Sequence, residues 1–424
     1  MRAGVPVGRN DRRRRIIRFI PAASVLVLVV ALSSCRSRSD WVKFRGEQGS
    51  GSTPNAVYPP LGVKWKLRLQ PETQKAYAFN NPVVLGSTIY FGSTDGNFYA
   101  LDIESGYMRW VFKTGGSINS VPYADDEKVY FGANDGRAYA LRREDGSEAW
   151  SYDTGRTVSS TVIGYEDYII FISDGGAVFF FSPDGVLQHE LPNPAWYNFS
   201  FQVHEDVMYF APGPPDRPVS FGAYNVRLRM YEWVIETASI RAWWYSFPAL
   251  KDSRLFFATA DNPGEGRWEF RYYAHDRSTG QLLWKYTDFS HWGFNRPAEE
   301  GELWYKNLDL LDYLAPALWR NHVIYTSGDA LVRAFHVGTG RVVWTHALDG
   351  PASAAPAVAG NRVYFGVDGS MTEAPKLVAL SARNGRKLWE MEIDGALMSA
   401  PLIAGKWIIF GTDRNVFYVL EELF

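Results

Sequence analysis

Four aspartates, Asp95, Asp135, Asp174 and Asp368, each stand immediately before a glycine. Carboxylates recurring at one place in a repeat could hold Ca2+, a hard cation that takes about six to eight oxygen ligands. A loop made for that ion would read Asp-x-Asp-x-Asp-Gly, and that spacing does not occur. Turn chemistry accounts for the same residues: the Asp side chain bonds its own backbone, and Gly accepts positive φ. The seven histidines, His189, His204, His275, His291, His322, His336 and His346, show no i,i+4 pair or other metal-ligand spacing. There is no Gly-x-Ser-x-Gly elbow, phosphate loop or dinucleotide fingerprint. Cys35 is the only cysteine of the 424 residues, so an intramolecular disulfide is excluded and the fold must rest on burial.

That cysteine has a context of its own. Residues 12–18, RRRRIIR, are a basic run, and residues 19–32 are apolar. Fourteen apolar residues are short for a membrane span and suit a signal peptide. The following LSSC, residues 32–35, resembles the bacterial lipobox, which implies cleavage before Cys35 and acylation of its side chain. Several acyl chains on one residue anchor stably where one does not. Residues 1–34 are thus expected to be a lipoprotein signal peptide and residues 35–60 the lipidated Cys with a polar leader. Arg36 does not resemble the Asp that retains lipoproteins in the inner membrane. The expected location is therefore the periplasmic side of the bacterial outer membrane. Without residues 1–34 the chain has 37 basic and 45 acidic residues, a formal charge of −8. Such a charge does not favour nucleic acid or anionic lipid, which leaves the anchor to the acyl groups.

The elements that would position any site are set by a repeat. Residues 91–110, FGSTDGNFYALDIESGYMRW, return forty residues later as FGANDGRAYALRREDGSEAW, with ten of twenty positions identical. Each unit reads as four short strands, with Asp-Gly between the second and third and a Gly-containing turn between the third and fourth. Strands such as VYFG and FYAL are apolar on both faces, so each sheet must be covered on both sides. Four-stranded sheets stacked face to face around an axis meet that demand, which is the β-propeller.

First strands begin after Pro82, Pro122, Thr161, Gln202, Pro248, Pro316, Pro356 and Pro401, which predicts eight blades over residues 61–424. Fourth-strand tryptophans follow at Trp110, Trp150, Trp233, Trp284, Trp344 and Trp389, at a regular place that reads as packing between blades; the third blade ends in GVLQHEL without one. The eighth unit stops after three strands. Residues 62–69, GVKWKLRL, with Trp65 placed 45 residues before Trp110, are expected to supply its fourth strand and remove the open edge. The expected fold is all-β, an eight-bladed propeller of four-stranded antiparallel blades closed by the N-terminal strand.

The VYFGSxDGxxYALDxxxGxxxW unit resembles the repeat of pyrroloquinoline-quinone (PQQ)-type propellers, and DWVKFRGEQGSGSTP, residues 40–54, resembles their lead-in. Within that group the lipobox and eight blades are similar to the BamB-type lipoproteins of outer-membrane β-barrel assembly. That resemblance implies a non-enzymatic, monomeric scaffold whose partner is an envelope protein of the β-barrel assembly machine. The enzyme branch of the group would instead imply a PQQ-dependent oxidoreductase, with the quinone and Ca2+ in the central channel. Its adjacent cysteine pair is absent here. The residues two before each of those entry positions, Asn80, Ser120, Ser159, Ser200, Ser246, Leu314, Ala354 and Ser399, include no charge to hold such a ligand. A glycan-binding or sensor propeller is a further alternative.

Function in a repeat protein sits where the repeat is broken. Residues 211–233 and 259–276 are expected to lengthen the loops between second and third strands of blades 4 and 5. Residues 286–314 form an insertion in which Pro297 could start a short helix. Strand counting puts all three on one face. The candidate partner-binding residues there are Arg267, Trp268, Arg271, Trp292, Phe294, Arg296, Trp304 and Tyr305, because aromatics and Arg dominate interface hot spots. No catalytic, cofactor-binding or metal residue is nominated.

Overall fold

The computed structural model describes residues 40–46, 49–68, 80–175, 177–192, 201–210, 220–236, 247–264, 267–290, 315–369, 373–397 and 399–423. They form eight four-stranded antiparallel blades, the seventh extended by a parallel fifth strand, and, among the described residues, no α-helix. Blade 1 comprises Val83–Leu85, Thr88–Gly92, Asn97–Asp102 and Met108–Lys113. Blades 2 to 7 repeat that order, through residues 123–153, 163–192, 202–236, 249–290, 317–347 and 357–392. In blade 8, Leu402–Ala404, Trp407–Gly411 and Val416–Glu422 are joined by Leu61–Arg68, with Leu61 opposite Glu422 and Arg68 opposite Val416. The N-terminal strand closes the ring as expected.

Second and third strands are buried on both faces, as in blade 1's Phe91, Phe98 and Tyr99. Phe98 stacks on Phe131 of blade 2 at 4.1 Å, and Phe91 on Phe417 of blade 8 at 4.4 Å. The core therefore lies between blades, which explains why the strands do not alternate.

Each fourth strand has a bulge one residue before its tryptophan, as at Arg109, which leaves Trp110 opposite Ala100. The bulge aims the indole at the next blade. Trp110 Nε1 donates to Arg143 O at 2.9 Å, and its ring covers Gly146, where an added Cβ would lie 2.6 Å from the indole. Trp150 meets Gly185, Trp233 meets Gly280, Trp284 meets Gly340 and Trp344 meets Gly385 in the same way. Trp65 clasps blade 1 through Ile103 O and Gly106, so the N-terminal strand supplies the last clasp as well as the last ladder. Blade 3 carries His189 at the tryptophan position, bonded through Nε2 to the Tyr224 hydroxyl at 3.0 Å. The matching turn of blade 4 accordingly has Arg229, at φ 57°, where the others have glycine.

Residues 40–60, expected as a polar leader, are largely built into the disc. Trp41 pairs with Val84 of blade 1, and Val42 O accepts from Ala124 of blade 2. Phe44 packs edge-on to Phe247 before blade 5. Ser50 O and Gly51 O accept from Leu318 and Val358, on the first strands of blades 6 and 7. Ser52–Thr53 then runs parallel to Ala357–Ala359 as a fifth strand of blade 7. First strands of adjacent blades contact one another, so they line the axis, and the lead-in crosses the channel between them.

Burial also sets a pH response. His275 is 6% exposed; its Nδ1 donates to Gly280 O at 2.9 Å, while Nε2 is buried without a partner. Burial pushes its pKa down, as it does for His189, His322 and His346. The unfolded chain takes up a proton near pH 6.5 while the folded chain resists it, so stability should fall as pH drops below about 6.5. A melting series from about pH 7 to about pH 5 should show this slope, reduced in His275→Phe; an unchanged slope in that variant would acquit His275.

Candidate interaction face

Within a blade, the connection between the first two strands bonds the connection between the last two: Ile103 N donates to Ser87 O, Arg143 N to Glu127 O and Ala382 N to Asn361 O. These connections share one face, here the lower. Those between second and third strands, and between blades, share the upper face.

On the upper face blade 5 departs from the repeat. Residues 259–276 were expected as a lengthened loop, but they are strand almost throughout. Arg254–Gly264 pairs with Arg267–Asp276, including Ala260 with Phe270 and Asp261 with Glu269. Leu282–Ser290 accompanies them, so residues 286–290 of the insertion expected over 286–314 are strand. An eleven-residue strand where blade 1 has five carries this sheet roughly 15–20 Å higher than blade 1's. Asn262-Pro263-Gly264 reads as a loop in sequence, but the aromatic run WEFRYY favours strand and carries the pairing upward.

Of the nominated residues, Arg267, Trp268 and Arg271 lie on this tall sheet, with Trp268 opposite Ser290. The Arg271 guanidinium grips Glu269 with two bonds, at 2.9 and 2.6 Å, which ties it to its own strand. Trp292, Phe294, Arg296, Trp304 and Tyr305, and the helix start at Pro297, lie outside the described residues. Phe289, exposed near the upper end of blade 5's outer strand, adds apolar surface there, while exposed Leu282 of blade 5 and Leu228 and Met230 of blade 4 lie at the opposite, lower end.

Sequence reading missed the charged node that fixes the tall sheet. Arg333, on blade 6's Leu331–His336, is 1% exposed. It donates to both oxygens of buried Asp329 at 3.1 and 2.5 Å, to Asp288 Oδ2 at 3.0 and 2.9 Å, and to the hydroxyls of Tyr272 and Ser327 at 3.3 and 3.2 Å. Asp288 and Tyr272 belong to blade 5, so the node locks the two blades together. A signal was present. In blades 1 and 2 the turn aspartate accepts from the tyrosine four residues on, Asp95 from Tyr99 at 2.6 Å and Asp135 from Tyr139 at 2.7 Å. Asp329 and Arg333 hold the same two positions, with Ala330 at φ 60° where glycine would stand.

The aspartates before glycine are turn residues, as expected. Asp95, Asp135 and Asp368 accept from the backbone of Asn97, Arg137 and Gly369. Asp174 instead accepts from Ser159 Oγ at 3.0 and 2.9 Å, and burial pushes its carboxyl up. No group of three metal-ligating side chains exists among the described residues.

Around the axis, Asn80 Nδ2 and Ser120 Oγ donate to backbone carbonyls, and Ala354 offers no polar group. Arg45 is fully buried there, donating to Pro356 O at 2.7 Å and to Pro316 O. Desolvation pushes its pKa down to about 9, so it keeps its charge at neutral pH. Gly51 makes room for it: a Cβ there would lie 2.2 Å from its guanidinium. A quinone triacid with Ca2+ needs charged side chains converging near the axis. Among the described residues there, Arg45 is spent on backbone carbonyls and Asp174 on Ser159, and no group of three metal-ligating side chains stands ready for the cation. A cleft of about 180 Å3 between blades 6 and 7, lined by His346, Asp349, Glu373, Lys376 and Glu390, is below the size of ordinary small-molecule pockets.

The fold defines an eight-bladed PQQ-like propeller whose fifth blade rises above the upper face. The profile of the outer membrane protein assembly factor BamB family matches residues 62–195, 269–373 and 328–423, and the chain belongs to that family. No curated protein matches it in sequence. Among solved structures it is similar to BamB from Moraxella catarrhalis, at 15% identity and TM-score 0.64, covering 85% of this chain and 99% of that one. It is also similar to the quinohemoprotein alcohol dehydrogenase ADHIIG from Pseudomonas putida HK5, at 16% and 0.68, covering 91% and 80%. A europium-containing methanol dehydrogenase matches at 12% and 0.65, covering 91% and 98%. At these identities the likeness is one of fold.

Proposed function

We propose that the chain is a non-enzymatic scaffold of the bacterial cell envelope, anchored by lipid at Cys35 to the periplasmic side of the outer membrane. It takes part in β-barrel protein assembly by holding a partner protein of that machinery. The observation that carries this reading is the tall blade-5 sheet, locked by the Arg333 node onto a ring of clasped blades within a BamB-family chain. A preorganised surface loses little entropy on binding. The likeness to quinoprotein dehydrogenases supports the second reading, a PQQ-dependent oxidoreductase, through fold alone.

The test is capture of the tagged, acylated protein from crosslinked envelopes, read by mass spectrometry, beside a variant lacking residues 293–312. The scaffold reading expects a β-barrel assembly protein with the intact chain and at least about tenfold less with the deletion, the scale of a lost interface hot spot. Saturable heat on titrating PQQ with Ca2+, and no such protein captured, would transfer the case to the oxidoreductase.

A further inference from the structure

The lower face carries an uneven charge that the formal −8 of the chain conceals. In blades 6 and 7 its connections, residues 320–321, 337–341, 360–361 and 382–386, contain Arg320, Arg341, Arg383 and Arg386 and no acid. In blades 2 and 3 the equivalent connections, 125–127, 143–147, 166–167 and 182–186, contain eight acids and Arg143 alone among bases. The basic sector is continuous, because Trp319 Nε1 of blade 6 donates to Gly360 O of blade 7 at 2.7 Å, and Trp344 Nε1 to Ala382 O at 3.1 Å. Arg320, Arg341, Arg383, Arg386 and Lys387 are exposed. No ion pair of Arg341, Arg383 or Arg386 occurs among the described residues, whereas Lys387 pairs with Glu390. Apolar side chains are interspersed: Leu388, Leu423, and Tyr58 with the Arg362 guanidinium stacked over its ring at 3.9 Å.

Chain length says what lies opposite this face. Asp40 is fixed at the lower face, its carboxylate accepting from Gly86 N, in the connection between blade 1's first two strands, at 2.9 Å. Five Cα-to-Cα steps separate it from Cys35, a reach of about 17 Å when fully extended. A six-residue strand already gives the disc a height of roughly 20 Å, so a tether of that reach cannot lead round to the upper face.

We propose that the lower face docks on an anionic phospholipid surface, with the arginines of blades 6 and 7 on lipid phosphates and the tall blade-5 sheet turned away from the membrane. The proposal rests on the acylation of Cys35 that the scaffold reading includes. Arginine suits this role because its planar fork binds phosphate through two bonds at once. The acidic sector of blades 2 and 3 is repelled by the same lipids, so the disc settles with blades 6 and 7 lowest.

The experiment uses the acylated protein in phosphatidylethanolamine vesicles with and without phosphatidylglycerol. Acylated Cys35 leaves an introduced cysteine as the labelling site, so a fluorophore is placed at Asn384→Cys on the lower face or Arg156→Cys on the upper. Quenching by headgroup-labelled lipid should be strong for the first and weak for the second. The combined variant Arg341→Glu, Arg383→Glu, Arg386→Glu should lose the phosphatidylglycerol dependence, since each basic residue at such a surface is worth about fivefold in the docked population. Equal quenching at both labels, or a combined variant that quenches like the parent, would overturn the proposal, the latter leaving the sector to a protein partner. Palmitate incorporation is measured on the same samples: without it the anchor reading fails by itself. In that case salt-sensitive sedimentation with phosphatidylglycerol vesicles still decides the charge argument, and no sedimentation overturns it.

Discussion

Replacing Arg333 by alanine should cost the propeller about 3–5 kcal/mol, because it leaves a carboxylate buried without its partner. Asp329 is fully buried and receives two bonds from this guanidinium, while Asp288 reaches it from the tall sheet of blade 5. Truncation removes the Coulombic attraction and up to six donated bonds, and it opens a hole beside Phe270 and Tyr272, whose rings lie 5.8 Å from the guanidinium carbon. The loss should therefore exceed that of an exposed pair such as Arg109 with Asp102, worth about 1 kcal/mol or less. Arg333→Met combined with Asp329→Asn removes both charges and should recover part of the stability, since the penalty comes from the orphaned acid more than from the missing attraction. Urea unfolding of the parent, both single variants and the pair gives the coupling directly. A loss under about 1 kcal/mol for Arg333→Ala would mean that Asp329 finds water or another donor and that the node does not fix blade 5. The tall sheet should then bind partners as a mobile flap, with the entropic cost that a rigid one avoids.

The repeat made the architecture readable because every blade meets the same problem: burying both faces of a short sheet. Strands such as Thr88–Gly92 and Asn97–Asp102 are apolar throughout, and no arrangement but face-to-face stacking satisfies them. The closing strand was legible for a similar reason, since Trp65 holds the same relation to the bulge as Trp110. The lead-in was not. Trp41, Phe44 and Arg45 are one residue type each, outside any period, and their partners are backbone carbonyls and rings hundreds of residues away. Blade 5 misled because Asn-Pro-Gly is a turn signal in isolation, while cross-strand pairing carried the ladder past it to Gly264. The Arg333 node was hidden in a conservative-looking exchange. Tyr139 and Arg333 occupy one position in the repeat, but only the arginine can hold two acids from different blades.

Trp284→Ala should destabilise by about 3–5 kcal/mol, the usual cost of a large aromatic removed from a core. The indole is 8% exposed, donates from Nε1 to Val337 O at 2.9 Å and packs against Phe256 and Phe335 as well as Gly340. Removing it empties a cavity between blades 5 and 6 and leaves a carbonyl without its donor. The comparison that isolates the clasp is Trp389→Ala. Trp389 holds the same place in blade 7, but blade 8's third and fourth strands come from opposite ends of the chain, so no continuous glycine turn receives it. It is only partly buried, and its loss should cost clearly less than that of Trp284. The receiving side gives an independent measure. Gly340→Ala puts a methyl 2.6 Å from the Trp284 ring at φ +67°, so steric overlap adds to left-handed strain, and the variant should lose more than the roughly 1 kcal/mol of an αL alanine alone. At Arg229, where blade 3 offers no tryptophan, a side chain already stands at positive φ, and Arg229→Gly should be neutral or stabilising. If Trp284→Ala and Trp389→Ala cost the same, the tryptophans act as generic core residues. Blade order would then be held by the stacked phenylalanines, and the match between missing tryptophan and missing glycine would be a coincidence of blades 3 and 4.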